Sequence, residues 1–262
     1  PVKSWTDISW TENGVNTGDG ETLFDDTSLV AQWNFNETSG TTADNAAGSC
    51  GASCDGTLTN FASTSSQDQA TGTGWTTNNK KWGAGALMFD GSNDNISIGD
   101  INELDGLSAI TVETWLNLKS TATWQDVVSK FNNGETNGWT IELNNGINRF
   151  CVVPGSWKCA TGSILNTNTW YHIVGTYDGS NVKIYLNGQL EGTTVATGAL
   201  TANTATVRIG INSNGTSYPT NGTIDSSRIY SRALTASEIL SNYNSSNLEL
   251  QTRVGSSSDP ND

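Results

Sequence analysis

No predicted strand of this sequence carries a Glu-x-Asp-x-Glu run, the pattern with which one strand of a hydrolase presents paired carboxylates to a glycosidic bond. Such an enzyme needs two acidic side chains, because one protonates the leaving oxygen while the other attacks or activates water. Glu113 in TVETW and Glu142 in TIELNN lie on separate predicted strands, and neither has a second carboxylate two residues away. The single histidine, His172, lies at a predicted strand start, where a structural role is more common than that of a base. We therefore predict that the chain is not an enzyme.

Tryptophans in predicted loops are the residues best suited to hold a ligand, because a flat ring can stack on a sugar. Trp75, Trp124 and Trp157 are in such loops. Trp157 lies within residues 151–159, and a loop closed by a disulfide would present its ring at a low entropic cost. We predict Trp157 as the first carbohydrate contact, followed by Trp124 and Tyr218. The alternative is that Trp157 packs over the sheet edge or over its own disulfide.

The four cysteines fall into two close pairs, Cys50 with Cys54 and Cys151 with Cys159. Neither pair has the C-x-x-C spacing of a zinc or thioredoxin-type site. Two local disulfides are the simpler interpretation, and they predict an oxidising location outside the cell or at its surface. Four free, buried thiols are the alternative.

The charge of the chain excludes several classes of partner. Its 262 residues include 12 Lys and Arg against 26 Asp and Glu, a formal net charge of −14. Such a chain has no basic surface for nucleic acid or for anionic lipid. No apolar run approaches the length that a membrane-spanning helix needs. We therefore predict neither nucleic-acid binding nor membrane insertion.

Strands and tight turns dominate the predicted secondary structure. From residue 108 onward, short runs that alternate between apolar and polar residues follow one another at steady spacing. Strong hairpin signals separate these runs: Asn145-Gly146, Asp178-Gly179 and Asn187-Gly188. The one predicted helix covers residues 235–242 and begins with a capping box of Thr235 and Glu238. The pattern predicts an all-β antiparallel sandwich or jelly roll.

Several motifs occur in an order that is typical of a known family. They are LVAQWNF, the FDG turn of ALMFDG, the hairpin TYDG…YLNG and the segment IDSSRIYSRALT. Their order and spacing over residues 29–240 resemble the laminin G-like branch of the concanavalin A-like lectin/glucanase superfamily. The resemblance implies one concanavalin A-like jelly roll of two antiparallel sheets. It leaves the function open among sugar binding, adhesion and service as an accessory domain of an enzyme.

The resemblance also implies a structural Ca²⁺, an ion that oxygen ligands bind. Asp225 matches the side-chain ligand of the family, while Asn36 and Gly85 match positions that supply backbone carbonyls. Asp90 is a further predicted ligand, with Asp94 close to it in sequence, although an Asp-Gly pair can also be only a turn former. Asn36 replaces the acidic residue that usually follows the NF dipeptide, which removes a charge from the predicted site.

The predicted organisation has three parts: a strand-like arm over residues 1–28, a laminin G-like jelly roll over 29–250, and a polar tail or linker over 251–262. Trp5 and Trp10 in the arm must pack somewhere, either on an edge of their own sheet or on a neighbouring subunit. We predict an extracellular, calcium-stabilised, non-catalytic carbohydrate-binding or adhesion module whose partner is a glycan or cell-surface polysaccharide. One alternative is a subunit of an extracellular filament or surface layer, assembled from copies of itself through the arm. The other is an accessory domain cut from a larger hydrolase.

Overall fold

Antiparallel strands make up most of the folded chain. A computed structural model describes residues 21, 23, 25–37, 39–65, 73–131 and 136–244. Within these residues there are sixteen strands and one α-helix: β1 Leu29–Trp33, β2 Thr42–Ala43, β3 Gly56–Thr59, β4 Gly74–Thr76, β5 Ala86–Asp90, β6 Asn95–Gly99, β7 Ile110–Leu118, β8 Trp124–Phe131, β9 Gly138–Asn144, β10 Ile147–Val152, β11 Lys158–Ile164, β12 Trp170–Tyr177, β13 Asn181–Leu186, β14 Gln189–Val195, β15 Val207–Ile209, β16 Asn221–Tyr230 and α1 Ala236–Asn244. Short 3-10 turns occur at Gly51–Cys54 and Asn102–Leu104.

The strands form two sheets. The first sheet has the order β14-β13-β12-β7-β16-β5-β4, with β1 also paired to β16, and the second has the order β11-β10-β9-β8-β15-β6-β3-β2. Neighbours such as β16 and β7, or β8 and β9, run antiparallel. Consecutive hairpins combined with long crossovers between sheets are typical of a jelly roll. The predicted fold class is therefore confirmed.

The two-residue turns form where the sequence predicted them. Asn145 and Gly146 join β9 to β10 with φ values of 49° and 82°, and Asn187 and Gly188 join β13 to β14 with 50° and 78°. Such turns need left-handed conformations at both central residues, which Asn and Gly adopt at the lowest cost. These turns set the registers of β9 with β10 and of β13 with β14.

Helix α1 begins at the predicted capping box. The hydroxyl of Thr235 accepts a hydrogen bond from the Glu238 N–H at 3.3 Å, and the Glu238 carboxylate accepts one from the Thr235 N–H at 2.6 Å. Each side chain thus satisfies a backbone donor that the first helical turn leaves open. None of the helices in the described part of the chain is long and apolar enough to cross a membrane.

The apolar core lies between the two sheets. Trp33, Leu116, Ile141 and Phe150 belong to one continuous buried cluster that draws on both sheets. A β-carbon at Gly175 on β12 would collide with the Phe150 ring, so a glycine is required where the sheets approach closely. Because full burial of one large apolar side chain contributes about 1.5–3 kcal/mol, this cluster is the main source of stability.

Two disulfides tie local segments together, as the cysteine spacing predicted. Cys50 is bonded to Cys54 across the first 3-10 turn, and Cys151 on β10 is bonded to Cys159 on β11. Cys151 and Cys159 are direct cross-strand partners, so their bond fixes the end of the β10–β11 ladder.

Most of the arm predicted over residues 1–28, and the whole tail predicted over 251–262, lie outside the described residues. The end of the predicted jelly roll at residue 250 lies outside them as well. These boundaries, and self-assembly through the arm, therefore stay predictions.

Candidate functional site

An exposed aromatic pair lies at the start of β8. Trp124, the first residue of that strand, is 38% exposed, and Tyr218, in the loop before β16, is 43% exposed. Their ring centroids are 6.2 Å apart and their planes are inclined by 46°. The Asp126 N–H donates to the Tyr218 carbonyl at 2.8 Å, which ties the loop to β8. We call Trp124 and Tyr218 the aromatic pair; the chain brings them together although 94 positions separate them.

The backbone of Tyr218 is strained. Its φ is 55°, in the left-handed region that a bulky residue rarely adopts, and the following Pro219 restricts it further. The loop holds this conformation through Thr220, whose hydroxyl donates to the Asp126 carbonyl at 2.9 Å and whose N–H donates to the Gly210 carbonyl at 2.8 Å. Strain of this kind is concentrated at functional sites. It presents the Tyr218 ring to solvent beside Trp124.

Arg149 on β10 lies against one face of Trp124. The guanidinium carbon is 5.2 Å from the ring centroid, within the range of a cation–π contact. Arg149 also forms an ion pair with Glu142 on β9, with 3.1 Å between Nη1 and Oε1. Glu142 is buried and lies between Arg149 and Asp126 in the cross-strand register. It thus pairs across strands, the arrangement that its isolated position in the sequence favoured.

Trp157 lies away from the aromatic pair. It is half-buried, and its ring packs edge-to-face on Phe131 with 5.8 Å between centroids. Phe131 ends β8 seven residues after Trp124, about 23 Å along the strand. Trp157 thus has a packing role, although it packs on the end of an inner strand and not on the sheet edge or the disulfide that the sequence analysis named, so the geometry favours Trp124 and Tyr218 over Trp157. Trp75, predicted in a loop, is instead buried in β4.

Asp225 occupies a buried pocket beside β16. Its Oδ2 accepts hydrogen bonds from the N–H groups of Lys81 at 2.7 Å and Trp82 at 3.0 Å. Its Oδ1 is buried and accepts no hydrogen bond from the described residues. Burial raises the pKa of Asp225 to about 7 against the effect of the two N–H groups, and the charge of Glu21 raises it as well. Burial of the carboxylate thus outweighs the two N–H groups and the charge of Arg228, all of which lower the pKa.

Glu21 supplies the acidic group that the sequence lacked after the NF dipeptide. The Asn36 amide donates to the Glu21 carboxylate at 2.7 Å, and the Asn36 Oδ1 accepts the N–H groups of Ala84 and Gly85. A β-carbon at Gly83 would collide with both the Glu21 carboxylate and the Asn36 amide, so the group is compact. Sequence reasoning missed Glu21 because it precedes the region of family resemblance. The acidic run ETLFDD was the signal that could have indicated it.

The residues around Asp225 fit the Ca²⁺ that the resemblance implies. The buried Asp225 Oδ1 accepts no hydrogen bond from the described part of the chain, a second carboxylate is near enough to raise the pKa of Asp225, and the ligand type is oxygen. Ser226, with φ of 48°, places a strained bulge directly beside Asp225. Asn36 uses its side-chain oxygen to hold the 83–85 loop, so carbonyls such as that of Gly85 would have to complete the ligand set.

Asp90 does not join this group, contrary to the expectation that it belongs to the same site. It pairs with Asn221, four residues before Asp225 on β16 and therefore about 13 Å away. The Asp90 Oδ1 accepts the Ser92 N–H at 2.7 Å, the bond of a turn former. Asp94 is buried beneath the turn and accepts the Asp90 N–H at 2.9 Å, and burial raises its pKa to about 7.

A second buried polar group lies under helix α1. Glu113 is 2.7 Å from the Arg228 guanidinium, 3.1 Å from the His172 Nε2 and 2.9 Å from the Asn242 amide. Burial alone would raise the pKa of Glu113, but the charges of Arg228 and His172 lower it to about 2. Because all these side chains are buried, the group holds α1 on the first sheet. His172 accordingly has a structural place.

Among the described residues, one group of three possible metal-ligating side chains has its ligand atoms close together: Glu142, Cys151 and Cys159. Both sulfur atoms of this group are used in the Cys151–Cys159 disulfide. It therefore offers a metal one carboxylate and no thiolate.

Comparison with solved structures finds the same fold in proteins of low sequence identity. Domain 4 of a GH43 extracellular arabinanase from Geobacillus stearothermophilus, in complex with arabinotriose, aligns with a TM-score of 0.54 and 18% identity over 82% of this chain and 98% of that domain. The botulinum neurotoxin serotype G binding domain aligns at 0.59 and 15%, over 82% of this chain and 50% of that domain. The binding domain of Paraclostridial Mosquitocidal Protein 1 aligns at 0.60 and 16%, over 84% and 52%. The chain thus spans about half the length of these toxin domains.

Sequence comparison shows the family to which the chain belongs. Curated protein sequences give no significant match. A laminin G-like family model of the concanavalin A-like lectin/glucanases superfamily matches residues 90–240, more than half of the chain. That span includes most strands of both sheets and both rings of the aromatic pair. The chain therefore belongs to the concanavalin A-like lectin/glucanases superfamily.

Proposed function

We propose that this chain is an extracellular, non-catalytic carbohydrate-binding module that holds a sugar on Trp124 and Tyr218. The observation that carries the proposal is the exposed aromatic pair, in which the backbone of Tyr218 has a strained, left-handed conformation. Exposed rings that are already ordered bind sugars at a low entropic cost. The arabinanase domain in complex with arabinotriose and the neurotoxin binding domain, both structural neighbours, are consistent with this class of function.

Two further features support the location and the predicted metal. Two disulfides are usual in proteins outside the cell and rare in the cytosol. The buried Asp225 with Glu21 beside it would be stabilised by Ca²⁺, which would offset the repulsion between two carboxylates. We expect the ion to act on stability and not on sugar binding. Strand β16 starts at Asn221, just after the loop that carries Tyr218, and Asp225 lies four residues further along this strand, away from the aromatic pair.

Binding without hydrolysis is favoured by the state of the candidate carboxylates. Glu113 is buried under α1, and Glu142 is buried and paired with Arg149. Glycosidases need two carboxyl groups that reach the scissile bond from opposite sides. Because the superfamily includes glucanases by name, release of reducing ends from each bound glycan should be measured alongside binding. We expect none above the rate of a buffer blank.

The test of the proposal is a glycan array followed by calorimetric titration with the glycans that bind. Trp124→Ala and Tyr218→Ala should each weaken binding roughly five- to tenfold, the loss expected for a sugar-stacking ring worth about 1–1.5 kcal/mol. Trp157→Ala is the matched control, since it removes a tryptophan that packs on Phe131. Full binding by a folded Trp124→Ala variant would contradict the proposed site. Loss of binding in a folded Trp157→Ala variant would return the site to the disulfide loop.

A further inference from the structure

Resting on the proposed function, we infer that the aromatic pair takes single, electrically neutral glycan chains and rejects both acidic polysaccharides and flat crystalline ones. The argument depends on the inclination of the two rings, on the pairing of the nearby cation and on the polar groups beside the rings.

The ring geometry selects a single chain over a surface. Two rings inclined by 46° with centroids 6.2 Å apart cannot both lie flat on one plane. Their short separation lets both rings contact one sugar or two neighbouring sugars. Arg149 covers one face of Trp124, so the ring offers its other face to a ligand. Two rings inclined in this way can contact a single glycan chain from two sides, whereas a crystalline polysaccharide presents a flat face that only one of them could cover.

The charges near the pair select against acidic sugars. Among the described residues, Arg149 is the cation that lies over a ring of the pair, and Glu142 already pairs with it at 3.1 Å. Asp126 follows Glu142 in the cross-strand register, so the row Arg149, Glu142, Asp126 has one basic and two acidic side chains. The whole chain adds a net charge of −14. A uronate or sulfate group would therefore meet a paired guanidinium and a repulsive field.

Neutral amides occur on the strand paired with Trp124 and in the loop of Tyr218, and such groups suit hydroxyl groups. Asn144 is the cross-strand partner of Trp124. The side-chain amide of the exposed Asn145 donates a hydrogen bond to the Asn144 Oδ1 at 2.9 Å. Asn214 is exposed in the loop that carries Tyr218, where its side-chain oxygen accepts the Thr216 N–H at 2.8 Å. Amide groups both donate and accept, as neutral sugars require.

The experiment uses the whole chain and three groups of glycans. Calorimetric titrations at low and physiological salt would compare soluble arabino-, xylo-, cello- and malto-oligosaccharides with polygalacturonate and chondroitin sulfate. Sedimentation with crystalline cellulose and crystalline chitin would test flat surfaces. We expect at least one neutral oligosaccharide to bind with an affinity that salt changes less than twofold and that Trp124→Ala lowers at least about fivefold. We expect no binding of the acidic polymers or of the crystalline solids.

A charge variant tests the reason for the selection. Glu142→Gln leaves the Arg149 guanidinium without its partner and should give measurable, salt-sensitive binding of polygalacturonate. Asp178→Asn is the control, because it also removes one negative charge, from an exposed pair with Lys183 on the first sheet. If Glu142→Gln stays folded by its melting curve and gains nothing, the charge argument is overturned.

The outcomes separate this inference from the proposed function. Binding of an acidic polymer or of a crystalline solid to the wild-type chain, lost in Trp124→Ala, overturns the inference and leaves the proposed function standing. If no glycan of any class binds in a manner that depends on Trp124, the proposed function fails and the inference fails with it.

Discussion

Acidification should weaken the attachment of helix α1 through Glu113. The pKa of this carboxyl is about 2 in the folded chain, against an ordinary value of 4.5. A lowered pKa contributes stability that is fully present above pH 4.5 and is lost as pH falls toward 2. A difference of this size corresponds to about 3 kcal/mol, at 1.36 kcal/mol for each pH unit. Because Asp94 and Asp225 have raised pKa values, they change stability in the opposite direction.

The difference between the wild type and Glu113→Gln isolates the contribution of Glu113. At pH 7 the variant should be less stable by about 3–5 kcal/mol, since the buried Arg228 guanidinium then loses the charge of Glu113. The gap should shrink by about 3 kcal/mol by pH 2. Urea unfolding followed by tryptophan fluorescence at pH 7, 5, 3 and 2 would measure both. Glu103→Gln, at an exposed carboxylate, should match the wild type throughout. A gap that stays constant with pH would refute the reasoning.

Three further predictions concern stability. Ca²⁺ should raise the melting temperature of the wild type, and EDTA should lower it. Asp225→Asn and Glu21→Gln should each abolish this dependence of the melting temperature on Ca²⁺. If both variants keep the dependence, the ion binds elsewhere. The paired substitution Cys151→Ser with Cys159→Ser should cost about 2–3 kcal/mol in urea unfolding, because it frees the closed loop in the unfolded chain; a loss below about 0.5 kcal/mol would contradict this. Thr235→Ala should cost about 1 kcal/mol in thermal unfolding, because it removes the cap of helix α1. Thr235→Ser keeps a hydroxyl and should be near neutral. Equal losses of stability in the two variants would show that the cap does not contribute.

Local signals predicted most of the fold. Asn-Gly pairs need left-handed conformations, so Asn145-Gly146 and Asn187-Gly188 marked hairpins without reference to the rest of the chain. The Thr235 capping box likewise marked the start of α1 without reference to the rest of the chain, because its hydrogen bonds join residues only three positions apart. Strand alternation then fixed which side chains enter the core.

The candidate site was less predictable, because it depends on contacts between distant parts of the chain. Trp124 and Tyr218 were both candidates, but their rings come together through hydrogen bonds between β8 and the 218–220 loop, among them those from Asp126 to the 218 carbonyl and from Thr220 to the 126 carbonyl. Trp157 ranked first in the sequence because a disulfide encloses it, and the nearby Phe131 that it packs on could not be seen there. Glu21 reaches Asp225 from a segment without family resemblance.

The most direct test of the central claim is a nuclear magnetic resonance titration of the ten tryptophan indole N–H signals with a glycan that binds. Single Trp→Phe variants would assign the signals of Trp124 and Trp157. We expect the Trp124 signal to shift and saturate with the affinity that calorimetry measures, while the Trp157 signal stays in place. A saturating shift at Trp157 with none at Trp124 would contradict the account.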